Sequence, residues 1–190
     1  MISYTVDLAN EAYEQSEGNN RKILIFSQFV NKPEVCKEIC DRLNISAKAS
    51  GTQDEAIYFT GADSPHERQN MVKEFTNNPN LHYLVASTKA ASEGLDITAA
   101  GTVIFHDLMW TPAAHHQAEG RAYGRMSDMH SINSYYIVAL NTIMQDIMSL
   151  LERKLELFNA VIEGAELSRN DVSIAMEVIK SLKDNRKRIK

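Results

Sequence analysis

At 190 residues, with 44% hydrophobic and 24% charged residues, the chain has the makeup of one globular domain plus an appendage. A net charge of −5 excludes a protein that holds DNA by bulk positive charge, so any DNA contact must come from a few placed groups. No apolar run approaches the roughly 20 residues that span a bilayer, and Met1-Ile2-Ser3-Tyr4 lacks the basic and apolar blocks of a signal peptide, so an intracellular protein with no membrane partner is expected.

Residues 1–20 are polar and acidic, with a Gly18-Asn19-Asn20 break, and read as a linker or a weak helix. From there short apolar runs alternate with helical patterns. Lys22-Ile23-Leu24-Ile25-Phe26 is a buried strand, and Pro33 opens a helix with Val35, Ile39 and Leu43 on one face. Ile57-Tyr58-Phe59 is a second strand. Ser64-Pro65-His66-Glu67 is a capping box with proline at the first helical position, and its helix carries Met71, Val72 and Phe75 before ending near Asn77-Asn78-Pro79. Tyr83–Ala86 and Thr102–Phe105 are the third and fourth strands, Thr111-Pro112 starts another helix, and Ser134–Val138 is a fifth strand.

The rest is helical, broken near Gly164 and recapped at Ser168 or Asn170, with an apolar seam expected around Leu150, Leu151, Leu155 and Phe158. The alternation predicts an α/β fold: a doubly wound, mainly parallel sheet flanked by helices, with strands apolar on both faces and a C-terminal helical extension. The division expected is 1–20 as the N-terminal segment, 21–140 as the sheet domain, and 141–190 as helices and a basic tail. Lys183, Arg186, Lys187, Arg188 and Lys190 in that tail suit either phosphate or plain solvation. Cys36 and Cys40 share a helical face and read as reduced packing residues, since a zinc site needs more ligands nearby.

In such a sheet, ligands bind at the carboxyl ends of the strands. No G-x-x-x-x-G-K-[ST] phosphate loop is present. Asp54-Glu55-Ala56 resembles a magnesium motif but precedes an apolar strand, where a Walker B acid follows one, and reads as a loop. Two runs carry chemistry. Ser87-Thr88-Lys89-Ala90-Ala91-Ser92-Glu93-Gly94-Leu95-Asp96-Ile97 follows the third strand; its hydroxyls and N–H groups suit a phosphate, Gly94 permits close approach, and Asp96 suits a ribose hydroxyl. Gln117-Ala118-Glu119-Gly120-Arg121-Ala122-Tyr123-Gly124-Arg125 places two arginines four apart, and fixed guanidinium groups stabilise a transferring phosphoryl group. Each run alone also fits a plain capped helix or a salt-bridged surface.

Taken together and in order, these segments resemble the second RecA-like lobe of superfamily 2 ATPases, and specifically the Swi/Snf family. Ile23–Gln28 is similar to motif IV, and Gly61, Ser64, Arg68 and Phe75 to the G-x-x-S-x-x-x-R-x(6)-F segment. Ser87–Ile97 resembles motif V, Gln117–Arg125 motif VI, and Asp107-Leu108-Met109-Trp110-Thr111-Pro112 the D-x-x-W-N-P signature, over about residues 22–150.

The resemblance implies a RecA-like lobe of a DNA-stimulated ATPase, a translocase or remodeller. Its ATP and Mg²⁺ would be held mainly by a first lobe, in cis or in trans, and this chain alone would be inactive. It implies Arg121 and Arg125 as arginine fingers, Gln117 as the group coupling ATP state to lobe closure, and Gly94 and Asp96 at the nucleotide. Phe26, Ser27, Gln28, Thr88 and Lys89 would face the backbone of double-stranded DNA, with Trp110 as a stacking or wedging group there. Its setting would be cytoplasm or nucleoid in a bacterium, the nucleus in a eukaryote. The chain departs from the family pattern at Lys89, where arginine is usual, at Thr111, where asparagine is usual, and at Gly124, which pushes the second arginine to Arg125. Thr142–Ile162 resembles the family's brace helix. A lobe of a strand-separating helicase and a stand-alone, non-catalytic binding module stay open as alternatives.

Overall fold

The computed structural model describes residues 1–16, 22–29, 34–51, 55–91, 94–123 and 132–162, with 157–162 as helix backbone only. In chain order the elements are α1 (Ile2–Gln15), β1 (Lys22–Ser27), α2 (Val35–Ala49), β2 (Ala56–Phe59), α3 (Pro65–Asn77), β3 (Tyr83–Ser87), α4 (Thr88–Ala91), β4 (Ala100–Phe105), α5 (Pro112–Tyr123), β5 (Asn133–Tyr136) and α6 (Ile143–Ile162). Among the described residues the strands form one sheet in the order β2-β3-β1-β4-β5, every pairing parallel. The expected α/β fold is therefore present. Contacts divide the chain into two units, Met1–Asp107 with His115–Ile137, and Leu108–Ala114 with Val138–Lys190.

In the first unit β1 is central, paired with β3 on one side and β4 on the other. Ile23, Leu24, Ile25 and Phe26 are fully buried, the continuous apolar run that a strand covered on both faces requires. Lys22, at its start, donates to the carbonyls of Asn78 (2.7 Å), Leu81 (3.0 Å) and Phe75, and so closes the carboxyl end of α3 with a cation. Ser64 caps α3 as expected: its hydroxyl accepts from the Glu67 N–H, and the Glu67 carboxylate accepts from the Ser64 N–H. Pro33 lies outside the described residues; α2 runs from Val35 with Cys36, Ile39, Cys40 and Leu43 buried, both cysteines as free thiols.

Two local expectations change, at β5 and in the C-terminal seam, and one is resolved. Of the linker and the weak helix open for residues 1–20, Ile2–Gln15 takes the helix, 14 residues that bury Thr5, Val6, Ala9 and Ala12 against α2 and the sheet. Alanines spaced by three give a helix close access to its neighbour while adding little apolar weight, so the acids of the outer face dominate the local composition. β5 begins at Asn133, ends at Tyr136 and is largely exposed, which is an edge strand with one covered side rather than an apolar core strand. In the second unit, Leu108, Ile147 and Leu151 form a small core with Val138, Met144 and Met148 packed against it. Leu150 is also buried, but Leu155 is 39% exposed and drops out of the expected seam. The Phe158 side chain, Gly164, Ser168, Asn170 and the basic groups at 183–190 lie outside the described residues. No helix among the described residues is long and apolar enough to cross a membrane.

Two measurements check this packing. Ser64→Ala removes the hydroxyl half of the capping box and is expected to lower unfolding free energy by about 1 kcal/mol, read by urea titration. His106, 5% exposed with Nδ1 lying 2.6 Å from the Thr5 hydroxyl, has its pKa lowered by burial to about 4. The unfolded imidazole takes up its proton near 6.5. Stability is therefore whole above about pH 6.5 and is lost as pH falls from there towards about 4, because the unfolded chain binds the extra proton across that window. The urea midpoint should drop between pH 7.5 and pH 5, and His106→Gln should flatten that drop.

Candidate functional site

The carboxyl ends of β1, β3 and β4 lie side by side, because Ser27 pairs with Ser87 and Phe26 with Phe105 in the ladder. Gln28 and Thr88 therefore leave the sheet as neighbours. Of the residues expected at the DNA backbone, Phe26 and Ser27 do not present their side chains. Phe26 is fully buried and stacks on Phe105 at 5.6 Å between centroids. Ser27 is fully buried and donates to Asp107 Oδ2 at 2.6 Å. The reason is register: the alternation that points Ile25 and Phe26 into the two covering layers ends only after Ser27. Gln28 is the first partly exposed residue of the exit, its N–H donating to Asp107 Oδ1 at 2.9 Å. Phe29, 57% exposed, follows it and was not singled out from sequence, although a large apolar residue next to a strand exit was a visible signal.

On β3 and α4 the Ser87 hydroxyl is also internal, accepting from the Ala90 N–H at 3.3 Å, so it is not offered to a ligand. Thr88 is partly exposed and Lys89 exposed. The short helix is held from the side by Arg68 of α3, only 5% exposed, whose Nη1 donates to the Ala90 carbonyl at 3.0 Å. In the sequence Arg68 stands only as a position of the G-x-x-S-x-x-x-R-x(6)-F pattern; a buried arginine on an otherwise amphipathic helix is recognisable only once its carbonyl partner is placed. Arg68 also lines an open cleft of about 200 Å³ with Pro65, Gln69, Gly94 and Leu95. Glu55 of the Asp54-Glu55-Ala56 run pairs with His82 at 3.0 Å, a loop contact, while Asp54 lies outside the described residues.

The second run meets the first. The Ile97 N–H donates to the Arg121 carbonyl at 2.7 Å, and Arg121 Nη1 stands 3.9 Å from Asp96 Oδ1. The loop after α4 and the end of α5 are thus joined at Arg121. Gly94 turns that loop at φ +83°, in the left-handed region. Asp96 is 76% exposed at its side chain and Arg121 20%, so the carboxylate is open to solvent and the guanidinium is partly covered. Gln117 lies exposed on α5. Gly124 and Arg125 lie outside the described residues. In the second unit Trp110 is 48% exposed, and its carbonyl accepts from Lys154 Nζ at 3.1 Å.

The comparisons with known proteins give the chain a family. The family described as "Helicase conserved C-terminal domain" matches residues 5–126. This chain belongs to that family. Its relatives include SNF2-family ATP-dependent helicases, and the part of them it matches is the C-terminal helicase lobe. An uncharacterized ATP-dependent helicase of Mycoplasma pneumoniae is 33% identical over 80% of the chain, and ATP-dependent helicase fft1 of Schizosaccharomyces pombe is 29% identical over 86%. The chain spans 13% and 16% of the lengths of those two relatives. Among solved structures, the C-terminal part of the Fun30 ATPase domain matches with a TM-score of 0.60 at 19% identity, over 88% of this chain and 48% of that one, a likeness of fold. The lobe's sheet is thus RecA-like.

Gly94→Ala tests the loop that brings Asp96 to Arg121. A Cβ there meets nothing within 4 Å, so the cost is backbone strain alone. The expected loss is about 1–2 kcal/mol in a urea titration, with no gain on further enlargement to Ser.

Proposed function

We propose that this lobe is the second motor half of a DNA-stimulated ATPase, and that Arg121 reaches the phosphates of ATP bound by a first lobe. The observation that carries the reading is the meeting of two separate segments at Arg121, through the Ile97–Arg121 backbone bond and the 3.9 Å approach of Asp96. An acid and an arginine at one sheet edge suit the two ends of a nucleotide, the hydroxyls of a ribose and the oxygens of a phosphate. The donor set fits a share of a nucleotide and no more, since the sequence holds no phosphate loop to cradle phosphates and magnesium.

In this reading Asp96 and the Gly94 turn hold the sugar edge, Arg121 and then Arg125 lower the barrier by opposing charge on the transferring phosphoryl group, and Gln117 couples ATP state to lobe closure. ATP with Mg²⁺ supplies the phosphoryl group and its metal clamp. Gln28, Thr88 and Lys89 meet the backbone of double-stranded DNA with local positive charge and hydrogen bonds, and Trp110 stacks or wedges there. Relatives, among them a DNA annealing helicase of mouse and a chromatin remodeling protein of Arabidopsis thaliana, support a nucleic-acid substrate and an intracellular setting.

The test pairs this chain with a phosphate-loop lobe, in cis or in trans, and measures ATP hydrolysis with and without duplex DNA. The chain alone should not turn over ATP. In the pair, Arg121→Ala should lower DNA-stimulated turnover by roughly 10³–10⁵, the range an arginine finger supplies, with the urea midpoint nearly unchanged. Arg121→Lys should recover little, because an ammonium cannot reproduce the planar fork. Turnover indifferent to Arg121→Ala removes this assignment.

A further inference from the structure

Asp107 is a buried carboxylate, 2% exposed, at the carboxyl end of β4, and no role attaches to its side chain beyond its place in the D-x-x-W pattern. Placing an ionisable acid there is costly unless donors meet it. Two donors do, and both belong to the exit of β1. The Ser27 hydroxyl donates to Oδ2 at 2.6 Å, and the Gln28 N–H donates to Oδ1 at 2.9 Å. Ser27 passes the constraint one residue further, accepting from the Phe29 N–H at 3.2 Å. The backbone beneath is tied as well, the His106 N–H donating to the Phe26 carbonyl at 2.9 Å. Beyond Ser27 the ladder gives the exit no partner from β3 or β4, since the paired residues stop at Ser27 on that side and at Phe26 on the other. The one carboxylate thus takes over where sheet hydrogen bonding ends.

We propose that Asp107 is a positioning residue that fixes the β1 exit, residues 27–29, in the conformation that presents Gln28 to the DNA backbone. The inference rests on the functional reading above. Its distinguishing feature is that Asp107 acts on the apparent affinity for DNA and not on the hydrolytic step, because its bonds lead to Ser27 and Gln28, whereas Arg121 is held by Ile97 and Asp96.

The experiment measures kcat and the KM for duplex DNA in the two-lobe ATPase, together with the melting temperature of each variant. Asp107→Leu keeps the branched shape in a larger side chain and removes the Asp107 acceptor of the Gln28 N–H. It should raise the KM for DNA by about tenfold, the order set by the loss of one hydrogen bond to a charged acceptor, with kcat at saturating DNA within about twofold of the parent. Asp107→Asn should restore most of the loss: its Oδ1 still accepts from Gln28, and the Ser27 hydroxyl can turn to accept from Nδ2. A fall in melting temperature and kcat with KM unchanged would show a merely structural residue and overturn the proposal. Should Asp107→Leu fail to fold, Ser27→Ala decides, since it removes one of the two links and leaves the other; a KM raised a few-fold supports the proposal and an unchanged KM overturns it. Arg121→Ala run in parallel separates the two claims. If Arg121→Ala abolishes turnover while both Asp107 variants keep the parent KM, only the Asp107 inference falls; if Arg121→Ala is neutral, the functional reading falls and takes this inference with it.

Discussion

A strand covered on both faces and paired on both edges has nowhere to put a polar side chain until it leaves the sheet. β1 is in that position, with β3 and β4 on its edges and four consecutive apolar residues fully buried. The constraint decides where chemistry can sit. Polar groups appear at Ser27, Ser87 and Asp107, each at a strand's carboxyl end, each still buried and each satisfied by a neighbour. The layer they form lies just inside the surface formed by Gln28, Thr88 and Lys89. Burial pushes the Asp107 carboxyl upward, and the bonds from Ser27 and Gln28 oppose that shift, so the acid is held by its donors against a cost that an apolar residue would not carry.

Much of this fold was legible because its signals are local. The capping box at Ser64 and Glu67 is complete within four residues, and the apolar run of β1 needs no partner to be recognised. The helix at Ile2–Gln15 was read as a linker or a weak helix for the opposite reason. Its buried face consists of Thr5, Val6, Ala9 and Ala12, whose value lies in letting the helix approach α2 and the sheet closely, and that partner is distant in sequence. β5 carries two tyrosines and reads as apolar by composition, yet it borders β4 alone, so an edge position and not hydrophobicity sets its exposure.

The site divides the same way. Segments could be recognised by order and spacing, and the meeting at Arg121 follows the pattern. Which side chains face outward could not be read, because exposure at a strand exit depends on the residue at which the ladder ends. Pairing continues through Ser27, so Phe26 and Ser27 are interior and the open positions begin with Gln28 and Phe29. Arg68 and Asp107 escaped for a related reason: each acts on a carbonyl or an N–H more than twenty residues away, at Ala90 and Gln28, and no spacing rule connects them.

Two of the holds on Arg121 differ in strength, and the difference suits the proposed action of this side chain on a nucleotide held outside the lobe. Its carbonyl accepts a short backbone bond from Ile97, in a part of the sheet edge where Ile97 and Ala122 are fully buried. Its guanidinium faces Asp96 at 3.9 Å, and that carboxylate is three-quarters exposed. At that distance, and with one partner so open to water, the pair contributes little. The backbone at Arg121 is therefore fixed, and the contact to Asp96 is one that can be given up at small cost. A guanidinium locked into a buried fork would have to break that fork before meeting a phosphate, and one on a loose backbone would lose the orientation on which a finger depends. The loop through Gly94 supplies the first hold and the exposed acid the second, so in the proposed role backbone placement, more than the pair with Asp96, would aim Arg121.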